Sequence, residues 1–193
     1  MKCFIELTLL PNPEIPLYFL WEKAHQQLHL ALVAIQDEKG QSPVGVSFPE
    51  YDAEKHQLGS KLRLFAETET QLEQLNLQQG FSRLSDYVHL TGIRPIPDKV
   101  HGHALFKRVQ PKSSNARLAR RLAKRKGISA EQALLTLNKR SESFSNAPYV
   151  RIKSLSSGKQ YRLMIARLET EPTPQASGFS TYGLSSQRSV PLF

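Results

Sequence analysis

Cysteine is almost absent from this chain of 193 residues: Cys3 is the only one, so no disulfide can form within the chain. A secretory signal is also lacking, because three prolines between positions 11 and 16 interrupt the first apolar stretch, which also contains Glu6 and Glu14. No apolar run approaches the ~20 residues that are needed to span a bilayer. These absences argue against secretion and membrane insertion, and we expect a cytoplasmic protein with no membrane partner.

Acidic residues are missing between His101 and Lys126, although the chain contains 17 of them elsewhere. This segment accounts for the whole formal net charge of +9, because the rest of the chain is neutral. Its nine basic residues are Lys107, Arg108, Lys112, Arg117, Arg120, Arg121, Lys124, Arg125 and Lys126. A basic block on a neutral body is typical of a surface that binds a polyanion. The alternative is a solvated charged helix.

Hydrophobic periodicity predicts the order β-α-β-β-α-β in the first half of the chain. Strands are predicted for Lys2–Leu10, Val44–Phe48, Leu58–Glu67 and Val88–Ile96, and helices for Leu17–Ile35 and Thr68–Leu77. This order is the ferredoxin-like signature, so the fold class is predicted to be α+β. Pro95 and Pro97 mark the predicted end of this domain, which covers residues 1–97.

Residues 98–193 are predicted to form a second, smaller α/β half. A helix is predicted from Ser129, which can cap it, to Lys139. The segments Pro148–Ser154 and Gln160–Ala166 have the pattern of a hairpin that turns at residues 156–158. A loop of small residues, Gly178–Gly183, follows them.

The basic segment contains a predicted helix whose two faces differ. On a helical wheel Leu118, Ala119, Leu122 and Ala123 form one arc, and Gly127 marks the helix end. The opposite arc is basic and consists of Arg117, Arg120, Arg121, Lys124 and Arg125. Such a helix docks by its apolar side and presents its basic side to phosphates or guanines. If the partner is RNA it is predicted to be a hairpin, because side chains cannot enter the major groove of a continuous A-form duplex.

Several segments together resemble the repeat-processing endoribonucleases of type I-F CRISPR systems. They are Gln27–Ala34, Gly45–Pro49, Arg108–Ser113 with the basic helix, Ser154–Gly158 and Gly178–Ser185, which occur in the order of the family. The resemblance implies a ferredoxin-like domain that carries the catalytic histidine, followed by an RNA-binding half. It further implies cleavage at the base of a repeat hairpin. It also implies that the mature guide RNA is retained in an effector complex with other type I-F subunits.

The resemblance also assigns residues to RNA binding. It implies that Arg108 and Gln110 read base edges near the cut, and that Tyr161 stacks beneath the terminal base pair. The remaining RNA-binding residues are Lys112 and, on the basic helix, Arg117, Arg120, Arg121, Lys124 and Arg125. The chain departs from the family pattern at Tyr161, where phenylalanine is expected, at Ala119, where a basic residue is expected, and at Lys124, where arginine is expected.

Cleavage of RNA without a metal requires a base that removes the proton of the 2′-hydroxyl beside the scissile phosphate. Histidine suits this role, and the first helix offers His25 and His29 at the edge of its buried arc. The resemblance favours His29 as the base, with Ser154 holding the 2′-hydroxyl and Tyr182 orienting the histidine. It implies a 2′,3′-cyclic phosphate product and neither a cofactor nor a metal.

Three alternatives remain open at the level of sequence. Glu22, His25 and His29 share a helix face and are a possible zinc site. The chain is alternatively a non-catalytic protein that binds RNA hairpins, for example on the ribosome. It is alternatively a regulator that places the basic helix on duplex DNA.

Overall fold

The computed structural model describes residues 1–110, 115–137, 147–154, 158–173 and 178–193, without the side chains of residues 115–117. It has a mixed α+β fold with two antiparallel sheets, which confirms the predicted fold class at this level. The strands are β1 (Cys3–Leu9), β2 (Gly45–Ser47), β3 (Lys61–Ala66), β4 (Val88–Leu90), β5 (Arg94–Pro95), β6 (Gly102–Val109), β7 (Tyr149–Lys153), β8 (Gln160–Thr170) and β9 (Val190–Leu192). The α-helices are α1 (Leu17–Ala34), α2 (Glu69–Glu73), α3 (Leu77–Gly80), α4 (Asn115–Lys126) and α5 (Ala130–Leu137).

The first sheet has the order β2-β3-β1-β4, and β5 also pairs with β1. β1 is central and antiparallel to β3, β4 and β5, so Leu7 and Leu9 are each only 1% exposed. The helix predicted for Leu17–Ile35 is confirmed as α1. Its buried stripe begins with Leu20 and Trp21, and neither terminus carries a charge that would favour the helix dipole. Burial of this stripe therefore stabilises α1 more than its own termini do.

Two predicted elements of this half are each divided in two. The predicted strand Val88–Ile96 breaks after Leu90, because Glu6 donates its backbone N–H to the side-chain hydroxyl of Thr91 instead of to a strand carbonyl. The predicted helix Thr68–Leu77 ends early, because Asn76 adopts a left-handed conformation with a φ of 45°. Both breaks depend on a single polar residue within an otherwise regular pattern.

The second sheet has the order β7-β8-β6-β9. β6 was not predicted, since its Lys107 and Arg108 were assigned to the basic segment that follows. It is nevertheless a strand of alternating burial, with Ala104 fully buried and Phe106 2% exposed. The predicted hairpin is confirmed as β7 and β8, although residues 156 and 157 of its predicted turn lie outside the described residues.

Aromatic rings join the two sheets into one hydrophobic core. The ring of Phe48 lies 5.6 Å from that of Trp21 on α1 and 5.6 Å from that of Phe106 on β6. Tyr51 packs edge-on against Phe106 and donates its hydroxyl to the carbonyl of Ile165 on β8. The segment after β2 therefore contacts α1 and both central strands of the second sheet.

The chain divides into two compact units. One contains both sheets and comprises residues 1–108 and 147–193; the other, residues 109–146, contains α4 packed on α5. The predicted division into residues 1–97 and 98–193 stays a prediction, since compactness alone does not show which segments fold independently. Within the described residues, none of the helices has the length and apolar character needed to cross a membrane.

Candidate active site

His29 is fixed in one tautomer by the loop that precedes β9. Its Nδ1 lies 2.8 Å from the backbone carbonyl oxygen of Thr181. A carbonyl can only accept, so Nδ1 carries the proton and Nε2 of the neutral ring does not. The side chain of His29 is half-buried on α1. Because Nε2 carries no proton, its lone pair is available to accept one from a substrate.

The ring of His29 is stacked on that of Tyr182, with a centroid separation of 4.3 Å and an interplanar angle of 9°. Burial and the hydrogen bond with Tyr161 together raise the pKa of Tyr182 to about 12. The phenol is therefore neutral near pH 7. Its contact with His29 can orient the imidazole, but its hydroxyl is too weakly acidic to supply a base near neutrality.

A second tyrosine and an arginine extend this cluster. The hydroxyl groups of Tyr161 and Tyr182 lie 2.5 Å apart in a hydrogen bond. The guanidinium of Arg108 lies over the ring of Tyr161, 5.6 Å from its centroid. The phenylalanine expected at position 161 cannot make this hydrogen bond. The contacts thus bring together two residues that were predicted for catalysis, His29 and Tyr182, and two that were predicted for RNA binding, Tyr161 and Arg108.

The loop that carries Thr181 and Tyr182 is held against β2. Gly183 accepts from the backbone N–H of Val46 and has a φ of 70°; an added Cβ would lie 2.5 Å from Val46 Cγ1. Gly45 has no room for a side chain either, because its Cβ would lie 2.4 Å from the ring of Phe179. The segments Gly45–Pro49 and Gly178–Ser185 are distant in sequence but in contact in the structure. Each requires glycine at the point of closest approach.

His25 lies one helical turn before His29 and is completely buried. The sequence placed both histidines at the edge of the buried arc, and this is wrong for His25. Neither ring nitrogen has a hydrogen-bond partner among the described residues. Burial lowers the pKa of His25 to about 4. His25 is therefore a neutral core residue without access to a substrate.

Ser154 follows β7 and is half-buried. Its backbone N–H donates to the carbonyl of Lys159, and its carbonyl accepts from Gly158. The preceding strand pairs Ile152 with Tyr161, so Ser154 lies two residues beyond the cross-strand partner of a cluster residue. The strand register therefore carries Ser154 toward the end of the hairpin that also bears Tyr161.

A cavity of about 340 Å³ adjoins Tyr182. Lys107 and Arg108 of β6 line one part of it, and residues 180–186 of the loop supply most of the rest. A basic cavity of this size beside a candidate base suits a phosphate-bearing group. Sequence reasoning missed Lys107 as a lining residue, although it belongs to the basic segment.

The other predicted RNA-binding residues lie in the two-helix unit. Arg120, Arg121, Lys124 and Arg125 are exposed on α4, whereas Ala119 is 3% exposed. Gln110 is exposed. Two predicted residues cannot be placed in full: Lys112 lies outside the described residues, and so does the side chain of Arg117.

The alternative of a zinc site is not supported by the described geometry. Glu22, His25 and His29 do not form a group of three potential ligands, and no such group of His, Cys, Asp or Glu occurs in the described ranges. The imidazole of His25 is enclosed in the core, while Nδ1 of His29 already donates to Thr181.

One contact of the candidate site had no sequence signal. Thr181 acts through its backbone carbonyl, and every residue has such a group, so its type says nothing about the role. The contact of this carbonyl with His29 spans 152 positions of sequence. The sequence singled out the loop itself through the segment Gly178–Ser185, and the resemblance selected the neighbouring Tyr182 within it.

Comparison with known proteins agrees with the motifs. The chain matches the family Cas_Csy4, described as CRISPR-associated protein, over residues 4–193. Two proteins named CRISPR-associated endonuclease Cas6/Csy4, from Escherichia coli (strain UTI89 / UPEC) and Pseudomonas aeruginosa (strain UCBPP-PA14), are each 32% identical to it over 193 residues, with 100% of both chains covered. A solved structure described as an RAMP protein binding different RNA substrates aligns over 100% of both chains at 12% identity and a TM-score of 0.35. The predicted resemblance is confirmed by the family match and the two relatives.

Proposed function

The chain belongs to the Cas_Csy4 family of CRISPR-associated proteins, and from this premise we propose that it is an endoribonuclease that cuts CRISPR repeat transcripts at the base of a hairpin. It then retains the mature guide RNA, in the cytoplasm, together with other subunits of a type I-F effector complex. The observation that carries the proposal is the 2.8 Å contact between Nδ1 of His29 and the carbonyl of Thr181, which leaves Nε2 as the base.

In the proposed reaction, Nε2 of His29 removes the proton of the 2′-hydroxyl beside the scissile phosphate. The 2′-oxygen forms a bond to phosphorus, and the bond from phosphorus to the 5′-oxygen of the next nucleotide breaks. That oxygen takes up a proton as it leaves. The products are a 2′,3′-cyclic phosphate and a 5′-hydroxyl, and no step requires a metal or a cofactor.

Two further residues are proposed to position the reactants. Ser154 holds the ribose whose 2′-hydroxyl attacks, from the end of the hairpin that also bears Tyr161. Tyr182 holds the imidazole plane of His29 by stacking, and a pKa of about 12 keeps its own phenol neutral during the reaction. Ser154 and Tyr182 therefore position the reactants, and His29 alone removes the proton.

The basic cavity beside Tyr182 supports a site for the nucleotide next to the cut. Arg108 is proposed to read a base edge there, with Gln110 as its partner in the linker. Tyr161 is proposed to stack beneath the terminal base pair of the stem. Its hydrogen bond to Tyr182 would then couple the position of that base pair to the position of His29.

The remaining parts of the chain support recognition of the hairpin. The antiparallel order β4-β1-β3-β2 supports a ferredoxin-like arrangement for residues 1–97. Residues 98–193 are proposed as the RNA-binding half. The exposed basic residues of α4, with Lys112 and Arg117, are proposed to contact the major groove near the loop or end of the stem.

The decisive experiment compares the chain with its His29→Ala variant on the repeat hairpin of its own CRISPR array, in excess EDTA. General-base catalysis contributes ~10²–10⁴-fold, so cleavage by the variant should fall by that factor while its affinity for the hairpin is kept. Single-turnover cleavage and filter binding measure the two quantities. Loss of wild-type cleavage in EDTA, with recovery on adding a divalent metal, would contradict the proposed chemistry.

A modified substrate provides a control that leaves the protein unchanged. A 2′-deoxy substitution immediately upstream of the cut removes the nucleophile and nearly nothing else. Binding should persist and cleavage should stop. A wild-type chain that binds the unmodified hairpin without cutting it is instead a non-catalytic RNA-binding protein. Equal affinity for a DNA hairpin of the same sequence would favour the DNA-binding alternative.

A further inference from the structure

The outer face of the β7–β8 hairpin and the first turn of α1 form an exposed surface of tyrosines and basic residues. Along β7 the exposed Tyr149, Arg151 and Lys153 alternate with two buried residues. On β8, Arg162 lies directly opposite Arg151 and is also exposed. Tyr18 of α1 completes the surface and is 58% exposed. These five residues, Tyr18, Tyr149, Arg151, Lys153 and Arg162, are called the outer platform.

The placement of Arg151 opposite Arg162 does not stabilise the fold. Like charges directly opposite each other on antiparallel strands repel. Within the described residues, neither Arg151 nor Arg162 forms an ion pair with a carboxylate. Each instead lies over an aromatic ring: Arg151 over Tyr18 at 5.2 Å and Arg162 over Tyr149 at 4.7 Å from the ring centroid. The platform thus concentrates positive charge beside tyrosine rings that remain accessible, since Tyr149 is 37% exposed.

We propose that the outer platform binds the single-stranded RNA that flanks the repeat hairpin. The inference rests on the proposed function and extends it to RNA outside the stem. Exposed aromatic rings beside arginines are typical of surfaces that bind single strands, because unpaired bases stack on the rings while the phosphates contact the cations. Base pairs in the interior of a duplex cannot use the rings, since their bases are already stacked on both sides within the helix.

The position of the platform agrees with a flanking strand. β7 ends at Lys153, and the proposed ribose-holding Ser154 follows immediately. Tyr149 lies about 16 Å from Ser154 along the strand, a distance that a few nucleotides can span. Tyr161 belongs to the opposite face of the hairpin, because its cross-strand partner Ile152 is buried. A strand leaving the cut can therefore pass from the active-site end onto the outer face.

The test measures binding of three synthetic RNAs that carry a 2′-deoxy substitution at the cut: the hairpin alone, and the hairpin with an unstructured extension on its 5′ side or its 3′ side. One extension should increase wild-type affinity about tenfold or more. The Arg151→Gln/Arg162→Gln variant should lose that gain and bind the bare hairpin as the wild type does. Its log–log salt slope on the extended RNA should fall by about 1.4.

Two further variants separate stacking and position from charge. Tyr18→Leu/Tyr149→Leu should lose most of the gain although no charge changes, whereas Tyr18→Phe/Tyr149→Phe should keep it. The matched control is Arg83→Gln/Arg94→Gln, which removes two charges from other exposed positions of the same compact unit. It should retain the gain from the extension.

The outcomes separate this proposal from the proposed function. A chain that fails to bind even the bare hairpin overturns the proposed function. Strong hairpin binding with no gain from either extension overturns only the platform proposal. The platform proposal is also overturned if the arginine variant binds every RNA normally but loses association with another protein. It is overturned as well if a double-stranded extension increases affinity as much as the unstructured extension does.

Discussion

His25 and His29 have the same side chain and occupy successive turns of α1, yet their environments give them opposite properties. His25 is fully enclosed by the core, and burial lowers its pKa to about 4. His29 is half-buried and donates from Nδ1 to Thr181. A base must exchange protons with a substrate, so only the second environment is suited to catalysis.

The burial of His25 predicts a specific loss of stability in mild acid. The ordinary pKa of 6.5 applies to the unfolded chain, and about 4 to the folded one. Between these values the unfolded state binds a proton that the folded state does not, so stability falls as the pH falls from 6.5 toward 4. We expect His25→Leu to reduce the loss between pH 7 and pH 5 by about 2 kcal/mol, measured by urea unfolding.

An exposed histidine provides the comparison for this measurement. His89 is exposed on β4, and His89→Gln serves as the control variant that replaces a histidine at the surface. If the wild type and His25→Leu lose stability in parallel between pH 7 and pH 5, His25 is not the residue that titrates.

At the scale of single elements, the loop before β9 is set by backbone contacts more than by its side chains. Val46 donates to the carbonyl of Gly183, and Ser185 donates to that of Phe106 on β6. The loop therefore joins the first sheet to the second, and Tyr182 projects from it onto His29. Any change in loop position therefore moves the ring that is stacked on His29.

We expect Gly183→Ala to reduce cleavage by about tenfold or more while hairpin affinity stays near the wild-type value. The added methyl group meets Val46, and the φ of 70° is unfavourable for alanine. Single-turnover cleavage measures the effect. Gly92→Ala is the control, because its added methyl group meets nothing within 4 Å. If adding Val46→Ala to Gly183→Ala restores no activity, the steric part of this explanation is wrong.

The helix α4 has the sharpest contrast between faces in the two-helix unit. Ala119 is buried, while Arg121 and Lys124 are exposed. If both contact phosphates of the stem, Arg121→Gln/Lys124→Gln should lower the log–log salt slope of hairpin binding by about 1.8. Titrations at several salt concentrations measure it. An unchanged slope, equal to that of Arg83→Gln/Arg94→Gln, would remove α4 from the proposed interface.

At the scale of the whole molecule, the aromatic contacts predict that the two sheets unfold together. Phe106 of the second sheet is 2% exposed and packs on Phe48, which follows β2 of the first. Phe106→Ala should cost about 3–5 kcal/mol of stability. Fluorescence of Trp21, the only tryptophan, and circular dichroism should report the same shifted transition.

A substitution on α5 tests whether that cost is specific. Leu135 is 69% exposed, so Leu135→Ala should change the free energy of unfolding by less than ~0.5 kcal/mol. Separate transitions for the two probes in Phe106→Ala would mean that the sheets unfold independently. That result would favour a boundary near residue 97 between two folding domains.

The sequence alone determined the local features of this protein. The apolar stripe of α1, the alternation of β7 and the two faces of the basic helix all repeat with the period of their own element. The motifs also selected His29 and Tyr182, which the structure places in contact with each other. The α+β class and the family followed from these features.

Tertiary structure decided the contacts that local periodicity does not encode. A helical wheel gives the angle of His25 from its own apolar arc, but the depth of burial depends on what packs on both sides of that arc. β6 was not predicted, because its charged residues do not distinguish a basic strand from a basic helix. The tautomer of His29 depends on the backbone carbonyl of Thr181. Every residue has such a carbonyl, so the sequence cannot show which one contacts the histidine.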